Sequence, residues 1–207
     1  MAPNEHPSKL FVEVTTRCNL QCGMCVKQNG AGGIPEGSMS PGTFERLAPA
    51  FPHLHSLVLN GIGESLLHPQ LETFIAHARA LLPESASVGF QSNGMLLTEK
   101  RAASLVDAGL DRICISLDTV SDDGIRSIRS GGKMEGIVAA FAGLNKARAR
   151  TRKRDLSIGI EFVLRRDNIT GLPEAIRWAG RYGANFVIVS QLLPYHKDSV
   201  AQAAYDT

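Results

Sequence analysis

The chain has 207 residues, a formal net charge of +2 at pH 7, and 43% hydrophobic and 20% charged residues. This length suits one well-buried globular domain, and so small a charge gives no reason to expect a nucleic-acid or membrane partner. The first ten residues are polar without an apolar core of signal-peptide length, and no stretch reaches the roughly eighteen apolar residues of a membrane span. These features predict a cytoplasmic protein without a nucleic-acid or membrane partner.

The predicted elements begin after a flexible N-terminus, residues 1–9. An apolar strand follows at 10–14, and the segment 28–40 is rich in Gly, Pro, Ser and Asn, which indicates a mobile loop. Ser40 and Pro41 then predict the start of a helix that runs to about Ala48, because Ser is a good N-cap and Pro suits the first helical position.

From residue 55 onward, short apolar strands alternate with helices of amphipathic spacing. Strands are predicted at 55–60, 87–91, 112–117, 156–164 and 186–190, and helices at 69–82, 98–108, 134–148 and 172–181. With the first strand and helix this makes six strand–helix units, three-quarters of a TIM barrel, and continuous apolar strands favour a parallel sheet wrapped by helices. The tail at 196–207 is expected to be the start of a further helix, and the chain a fragment whose C-terminal domain is absent.

Three cysteines, Cys18, Cys22 and Cys25, lie within eight residues directly after the first strand, spaced C-x3-C-x2-C. A structural zinc site normally has four Cys or His ligands and this loop contains no His, whereas an iron–sulfur cube held by three thiolates keeps one iron open. A zinc knuckle or a set of buried free cysteines remains the alternative. Clustered thiols fit a reducing compartment better than a secreted disulfide scaffold.

The predicted strands end in polar or glycine-rich segments, and parallel barrels place their active sites at the carboxyl ends of strands. The second strand leads into Gly61, Gly63 and Glu64, where glycines allow close approach of the backbone to a ligand and the carboxylate can receive a cation. An ordinary strand–helix turn is the alternative for this segment alone. Asn93-Gly94 after the third strand equally fits a simple turn.

The fourth and fifth strands contribute further candidates. Ser116 and Asp118 end the fourth strand, and Asp118 is expected near the mouth of the site. Cys114 in mid-strand fits a buried small hydrophobe better than a fourth ligand. Glu161 lies in an apolar run of the fifth strand and needs a partner there, which favours a functional role.

Together these segments resemble the radical S-adenosylmethionine (SAM) superfamily, whose cysteine pattern is C-x3-C-x-aromatic-C. Met24 replaces the aromatic residue, and G-x-G-E-S replaces the family's G-G-E-P. The segments Q-S-N-G, S-L-D and S-I-R-S-G are similar to the family's T-N-G, S-L-D and I-R-G.

The resemblance implies a partial (β/α)6 TIM barrel over residues 10–195. It also implies a [4Fe-4S] cluster on Cys18, Cys22 and Cys25, which cleaves SAM reductively to a 5'-deoxyadenosyl radical that abstracts hydrogen from a substrate. Gly159 is expected to leave room for the adenosine. Arg129 is the candidate partner of the SAM carboxylate, and Arg126 is the alternative candidate. The residues implied in SAM binding are Met24, Gly61, Gly63, Glu64, Asn93, Ser116, Arg129 and Val189.

The segments look most like the branch whose members have a C-terminal SPASM domain with extra clusters and mature peptides or metalloenzymes. The resemblance implies an electron donor such as flavodoxin or ferredoxin, and a peptide, protein or cofactor-precursor substrate. A metalloenzyme or cofactor maturase is favoured over a peptide-modifying enzyme. Two other classes stay open, an iron–sulfur electron carrier that does not use SAM and a zinc-stabilised binding module.

A basic run near residue 150 could indicate nucleic acid or an acidic partner. Because it joins a helix to the following strand, it is expected on the amino-terminal face of the barrel, opposite the proposed site. A solvated helix end that complements the helix dipole explains it better. The run consists of Lys146, Arg148, Arg150, Arg152, Lys153 and Arg154.

Overall fold

The computed structural model describes residues 6–29, 33–151, 156–195 and 197–205. Several predictions fall partly outside these ranges: most of the flexible N-terminus 1–9, the middle of the loop 28–40, and parts of the tail 196–207. The end of the basic run, Arg152 to Arg154, also lies outside the described residues.

The described residues form eight strands and eight α-helices. The strands are β1 (Lys9–Phe11), β2 (Gln21–Cys22), β3 (Ser56–Val58), β4 (Ser87–Ser92), β5 (Arg112–Ser116), β6 (Arg129–Ser130), β7 (Ser157–Leu164) and β8 (Phe186–Gln191). The helices are α1 (Val26–Asn29), α2 (Pro41–Glu45), α3 (Leu71–Leu81), α4 (Glu99–Asp107), α5 (Asp122–Ile128), α6 (Met134–Arg150), α7 (Leu172–Arg181) and α8 (Lys197–Val200). Short 3-10 helices lie at Ala48–His53, Ser65–Leu67 and Ile169–Gly171.

Six strands form one parallel sheet in the order β1-β3-β4-β5-β7-β8. Each strand pairs with the next long strand in the chain, which is the winding of a TIM barrel, and a sheet of six such strands curls without closing. The predicted partial (β/α)6 barrel is therefore confirmed. The strand β1 begins at Lys9, one residue inside the segment predicted to be a flexible N-terminus.

The core lies between the outer face of the sheet and the helices. Leu57, Val88, Ile113 and Ile158 are fully buried there, together with aromatic side chains of the helices. Phe141 of α6 contacts Trp178 of α7 edge to face, with ring centroids 5.4 Å apart. Alternate residues of each strand point to the opposite, inner face of the curled sheet. Polar side chains lie on this inner face.

The structure differs from the sequence prediction mainly in its short elements. The helix predicted from Ser40 begins as expected, with the Ser40 hydroxyl accepting a bond from Thr43 N at 3.1 Å, but α2 ends at Glu45. A 3-10 helix with Pro49 and Pro52 replaces its continuation, because proline cannot donate the α-helical hydrogen bond. The short strands β2 and β6 and the helices α1 and α5 were not predicted, and the first strand, predicted at 10–14, ends at Phe11.

The described part of the basic run lies on the last turns of α6, as predicted. Lys146 pairs with Glu99 at 2.5 Å, and Arg148 donates to the Gly183 carbonyl at 3.0 Å. Both residues are thus engaged by neighbouring elements of the same chain. Among the described residues, no helix combines the length and apolar character needed to cross a bilayer.

Packing of the outer sheet face generates a stability prediction. Phe162 of β7 is fully buried, while Val189, its register partner on β8, is 47% exposed. Phe162→Ala should lower the free energy of unfolding by about 3–5 kcal/mol because it opens a cavity in the core. Val189→Ala should change it by less than about 0.5 kcal/mol. Urea unfolding of both variants measures the difference, and equal effects would contradict the assignment of this face as the core.

Candidate functional site

The three clustered cysteines meet at one cavity on the carboxyl edge of the sheet. Cys22 belongs to β2, and Cys25 N donates to the Cys22 carbonyl at 3.0 Å, which closes a turn just before α1. All three cysteines line a cavity of about 470 Å³. This volume lies within the range of small-molecule and cofactor sites.

Cys18 and Cys22 lie in an environment that disfavours the anionic form of their thiols. Burial raises the pKa of Cys18, and the nearby charges of Glu64 and Cys25 raise it further. Burial also raises the pKa of Cys22, although the positive charge of Arg129 opposes this shift. Because thiolates are the metal-binding form, these two thiols gain their charge when a cationic centre binds them.

Within the described ranges, no group of three or more His, Cys, Asp or Glu side chains converges on a point where one ion could bind them all. An iron–sulfur cube does not require such convergence, since each of its thiolates binds a different iron. Three cysteines around one cavity therefore fit a cluster in both their number and their arrangement.

The Gly61–Gly63 segment packs tightly against the chain that precedes the cysteines. A Cβ atom at Gly63 would lie 2.2 Å from the Thr15 carbonyl oxygen, and one at Gly61 would lie 2.2 Å from Glu13 Oε1. Ile62 N donates to the same Glu13 oxygen at 2.6 Å. Backbone atoms leave room only for glycine at position 63, whereas a larger residue at position 61 would have to displace the Glu13 side chain. Both glycines line the cavity.

The Glu64 carboxylate, which the sequence offers to a cation and the resemblance implies in SAM binding, accepts hydrogen bonds from three donors within the protein. Its Oε1 accepts from Ser92 Oγ at 2.8 Å and from Leu66 N at 3.1 Å, and its Oε2 accepts from Asn93 N at 2.7 Å. Burial raises its pKa, and these hydrogen bonds oppose the shift. The structure thus gives this side chain a role in joining the ends of β3 and β4, and its direct contact with SAM stays a prediction.

Asn93 links the cysteine loop to the same edge. Its Nδ2 donates to Asn19 Oδ1 at 2.9 Å, and its Oδ1 accepts from Met95 N at 3.0 Å. Asn93 lines the cavity as predicted for a site residue. The partner Asn19, between the first two cysteines, was not predicted to have a role.

The two candidate arginines occupy different places. Arg129 lines the cavity and is only 8% exposed, and its Nε donates to Asp118 Oδ2 at 2.7 Å. Arg126 does not line this cavity, and its side chain pairs with Asp123 at 2.5 Å on the surface. The structure therefore brings Arg129 to the site, and it corrects the expectation that Asp118 lies at the mouth, because Asp118 is fully buried beneath the arginine.

A row of polar side chains crosses the inner face of the sheet below the cysteines. Asn60 Nδ2 donates to Gln91 Oε1 at 3.0 Å, Gln91 Nε2 donates to Glu161 Oε2 at 2.7 Å, and Ser190 Oγ donates to Glu161 Oε1 at 3.2 Å. Burial raises the pKa of Glu161. This row, together with Ser116, lines the same cavity as the cysteines.

Gly159 and Cys114 do not line the cavity. The space beside Gly159 is filled by the Phe186 ring, 2.3 Å from where a Cβ would be, so the expectation that Gly159 makes room for adenosine is wrong. Cys114 is buried on β5, where burial raises its pKa to about 12, as expected for an inert thiol.

Met24 lines the cavity, whereas Val189 does not. The residues after Val189 on β8 and in the following segment do line it, and sequence reasoning missed them because no motif marks them. The rule that sites form at the carboxyl ends of strands could have found them. They are Ser190, Gln191, Leu192, Leu193 and Tyr195.

Comparison with known proteins assigns this site to a family. Residues 12–189 match the sequence model of the Radical SAM superfamily. The chain is 32% identical over 201 residues to the tungsten-containing aldehyde ferredoxin oxidoreductase cofactor-modifying protein of Pyrococcus furiosus, covering 95% of this chain and 55% of that protein. It is 36% identical over 142 residues to the GTP 3',8-cyclase of Mycobacterium marinum, covering 67% of this chain and 39% of the relative.

The chain thus spans about half or less of the length of these curated relatives. Among solved structures, the crystal structure of Streptococcus suis SuiB bound to S-adenosylmethionine is similar with a TM-score of 0.73 and 12% identity, covering 98% of this chain and 44% of SuiB. At that level of identity the similarity shows the shared fold alone.

The close packing of Gly63 generates a prediction. Gly63→Ala should lower the free energy of unfolding by about 1–3 kcal/mol, because its methyl group would overlap the Thr15 carbonyl and must displace the cysteine loop. Gly37→Ala is the control, since nothing lies within 4 Å of its Cβ position. Urea unfolding of the metal-free chains compares them, and equal stability of the two variants would contradict the packing described.

Proposed function

The chain belongs to the radical SAM superfamily, and on that premise we propose that it is a radical SAM enzyme that matures the cofactor of a metalloenzyme. The observation that supports this best is the meeting of three cysteines, the Gly61–Gly63 backbone and the Arg129 guanidinium at one cavity. We assign the catalytic core to residues 10–195. When bound, a [4Fe-4S] cluster supplies the electron that cleaves SAM, and the resulting 5'-deoxyadenosyl radical abstracts hydrogen from a substrate.

In this proposal Cys18, Cys22 and Cys25 hold the cluster through their thiolates. Because the loop supplies only three cysteines, a bound cluster would have one iron without a ligand from this loop, and that iron could bind the amino and carboxylate groups of SAM. The Arg129 guanidinium pairs with the SAM carboxylate, a task that suits its planar fork of donors.

Other residues that line the cavity bind the remaining groups of SAM. The backbone carbonyl groups of Gly61–Gly63 accept hydrogen bonds from the SAM ammonium, since neither glycine has a side chain to cover them. Ser116 and the row of polar side chains that includes Glu161 offer hydrogen bonds to the ribose. Asn93 holds the cysteine loop next to these side chains. Met24 provides an apolar, polarizable contact for the adenine.

The substrate proposal rests on the relative from Pyrococcus furiosus, a cofactor-modifying protein that aligns with 95% of this chain. We therefore favour a cofactor precursor or a cofactor-bearing protein as substrate, over a peptide. A reduced flavodoxin or ferredoxin is the proposed electron donor, because SAM cleavage consumes one electron that the chain itself does not provide.

Nucleotide cyclisation is a second candidate function. It is supported by the 36% identity to a GTP 3',8-cyclase, although that alignment covers a smaller share of this chain than the first. GTP is therefore the control substrate. If GTP is consumed with formation of a cyclised product, the second candidate replaces the first.

Anaerobic reconstitution with iron and sulfide, followed by SAM and dithionite, tests the proposed activity. The reconstituted chain should release 5'-deoxyadenosine, whereas omission of dithionite should abolish its formation because the cleavage needs an electron. Liquid chromatography with mass spectrometry measures the product. Tight SAM binding without 5'-deoxyadenosine would contradict the proposed reaction.

The cysteine assignment makes a separate prediction. Cys18→Ala, Cys22→Ala and Cys25→Ala should each lose most of the iron and sulfide retained after reconstitution, because each removes one of three cluster ligands. Cys114→Ala is the matched control and should retain the unaltered content, since Cys114 lies outside the cysteine cavity. Iron and sulfide analysis with the visible absorption spectrum checks this, and equal loss from Cys114→Ala would contradict the assignment.

A further inference from the structure

We infer that Asp118 is a positioning residue that fixes the Arg129 guanidinium in the orientation needed to bind the carboxylate of SAM. The inference rests on the proposed function, because it assigns a role within the same site. Neither the family match nor the resemblance of short motifs assigns a role to the contacts of Asp118.

The Asp118 carboxylate is fully buried and both of its oxygens have fixed partners. Its Oδ2 accepts from Arg129 Nε at 2.7 Å, and its Oδ1 accepts from Val163 N, on β7, at 2.7 Å. One carboxylate thus joins the end of β5 to β6 and β7. A residue with this many partners in a dry environment has a single available orientation.

The backbone of Asp118 is held as well. Asn168 is 7% exposed, and its Nδ2 donates to the Asp118 carbonyl at 3.3 Å and to the Val163 carbonyl at 3.0 Å. Its Oδ1 accepts from Arg165 N at 2.8 Å, which fixes the amide in turn. The support beneath Arg129 therefore extends over two layers of hydrogen bonds.

Arg129 connects this support to the cysteine loop. In the antiparallel pair of β2 and β6, Arg129 is the register partner of Cys22, so the arginine backbone lies beside a proposed cluster ligand. Its Nε is taken by Asp118, and within the described ranges its two terminal nitrogens have no hydrogen-bond partner in the protein. Since Arg129 lines the cavity, these two nitrogens are the donors available to an anionic ligand.

Without the negative charge of Asp118, the Arg129 guanidinium would be attracted to a different carboxylate. The other carboxylates whose charge interacts with Arg129 are Glu161 and Glu64. Glu64 accepts from three donors and Glu161 from two, and Glu161 is the less buried of the pair, so Glu161 is the alternative partner at the cavity. We expect the guanidinium to turn towards Glu161 in Asp118→Asn and so to leave the proposed carboxylate position.

The opposite end of the barrel supplies a matched control. Asp111 also pairs with a mostly buried arginine, Arg79, at 3.2 Å, and its carboxylate also accepts from a strand amide, Val88 N, at 2.8 Å. Both aspartates thus accept from an arginine and from a strand amide, and they lie at opposite ends of β5. Asp111→Asn measures what the loss of such a pair does to the fold without a change at the site.

The experiment measures the dissociation constant of SAM for the anaerobically reconstituted chain by equilibrium dialysis. In Asp118→Asn it should rise about tenfold or more, the worth of one charge-assisted hydrogen bond, while iron and sulfide content stays unchanged. Asp111→Asn should bind SAM as the unaltered chain does. Arg129→Gln should weaken SAM binding, and adding Asp118→Asn to it should cause no further weakening, because the aspartate acts only through the arginine.

Three results would overturn the inference: unchanged SAM affinity in Asp118→Asn, equal weakening in Asp111→Asn, or full additivity of Asp118→Asn with Arg129→Gln. Failure of the proposed function is distinguishable from these. In that case the unaltered chain itself would not bind SAM after reconstitution, and the inference would fall with it.

Discussion

The site depends on one backbone contact, the close approach of Gly63 to the chain just before the cysteines. Glu64 N donates to the Arg17 carbonyl at 2.7 Å, and a Cβ at Gly63 would lie 2.2 Å from the Thr15 carbonyl oxygen. This contact fixes the cysteine loop to the end of β3, and Asn93 fixes it to the end of β4 through Asn19. Three thiols reach one cavity because their loop is held at both of these places.

Buried charge determines what this cavity can bind. Burial disfavours the thiolate form of Cys18 and Cys22, and a cationic metal centre would stabilise that form. The carboxylates of Glu64 and Asp118 are each held by several internal donors. Arg129 therefore presents the positive charge at the cavity wall, which suits a ligand that contains a carboxylate.

The sequence predicted the sheet and the cysteine site because both have strong local signals: continuous apolar strands, and three thiols after the first strand. It missed α5, whose seven residues bury only Ile125 and Ile128 and so lack a clear helical period. The burial of Asp118 could not be predicted, since its partner Arg129 meets it only after β6 pairs with β2. Val189 was assigned to the site only through the family resemblance, and the structure brings the next residue of β8, Ser190, to the cavity.

The central claim is that the three cysteines hold a cluster with one iron open to SAM. Electron-nuclear double resonance of the dithionite-reduced, reconstituted chain tests it directly, with SAM labelled with 17O in the carboxylate and 15N in the amino group. The account predicts hyperfine coupling of both labels to the cluster, because both groups bind the open iron. A reduced cluster that shows no coupling to either label in the presence of bound SAM would contradict it.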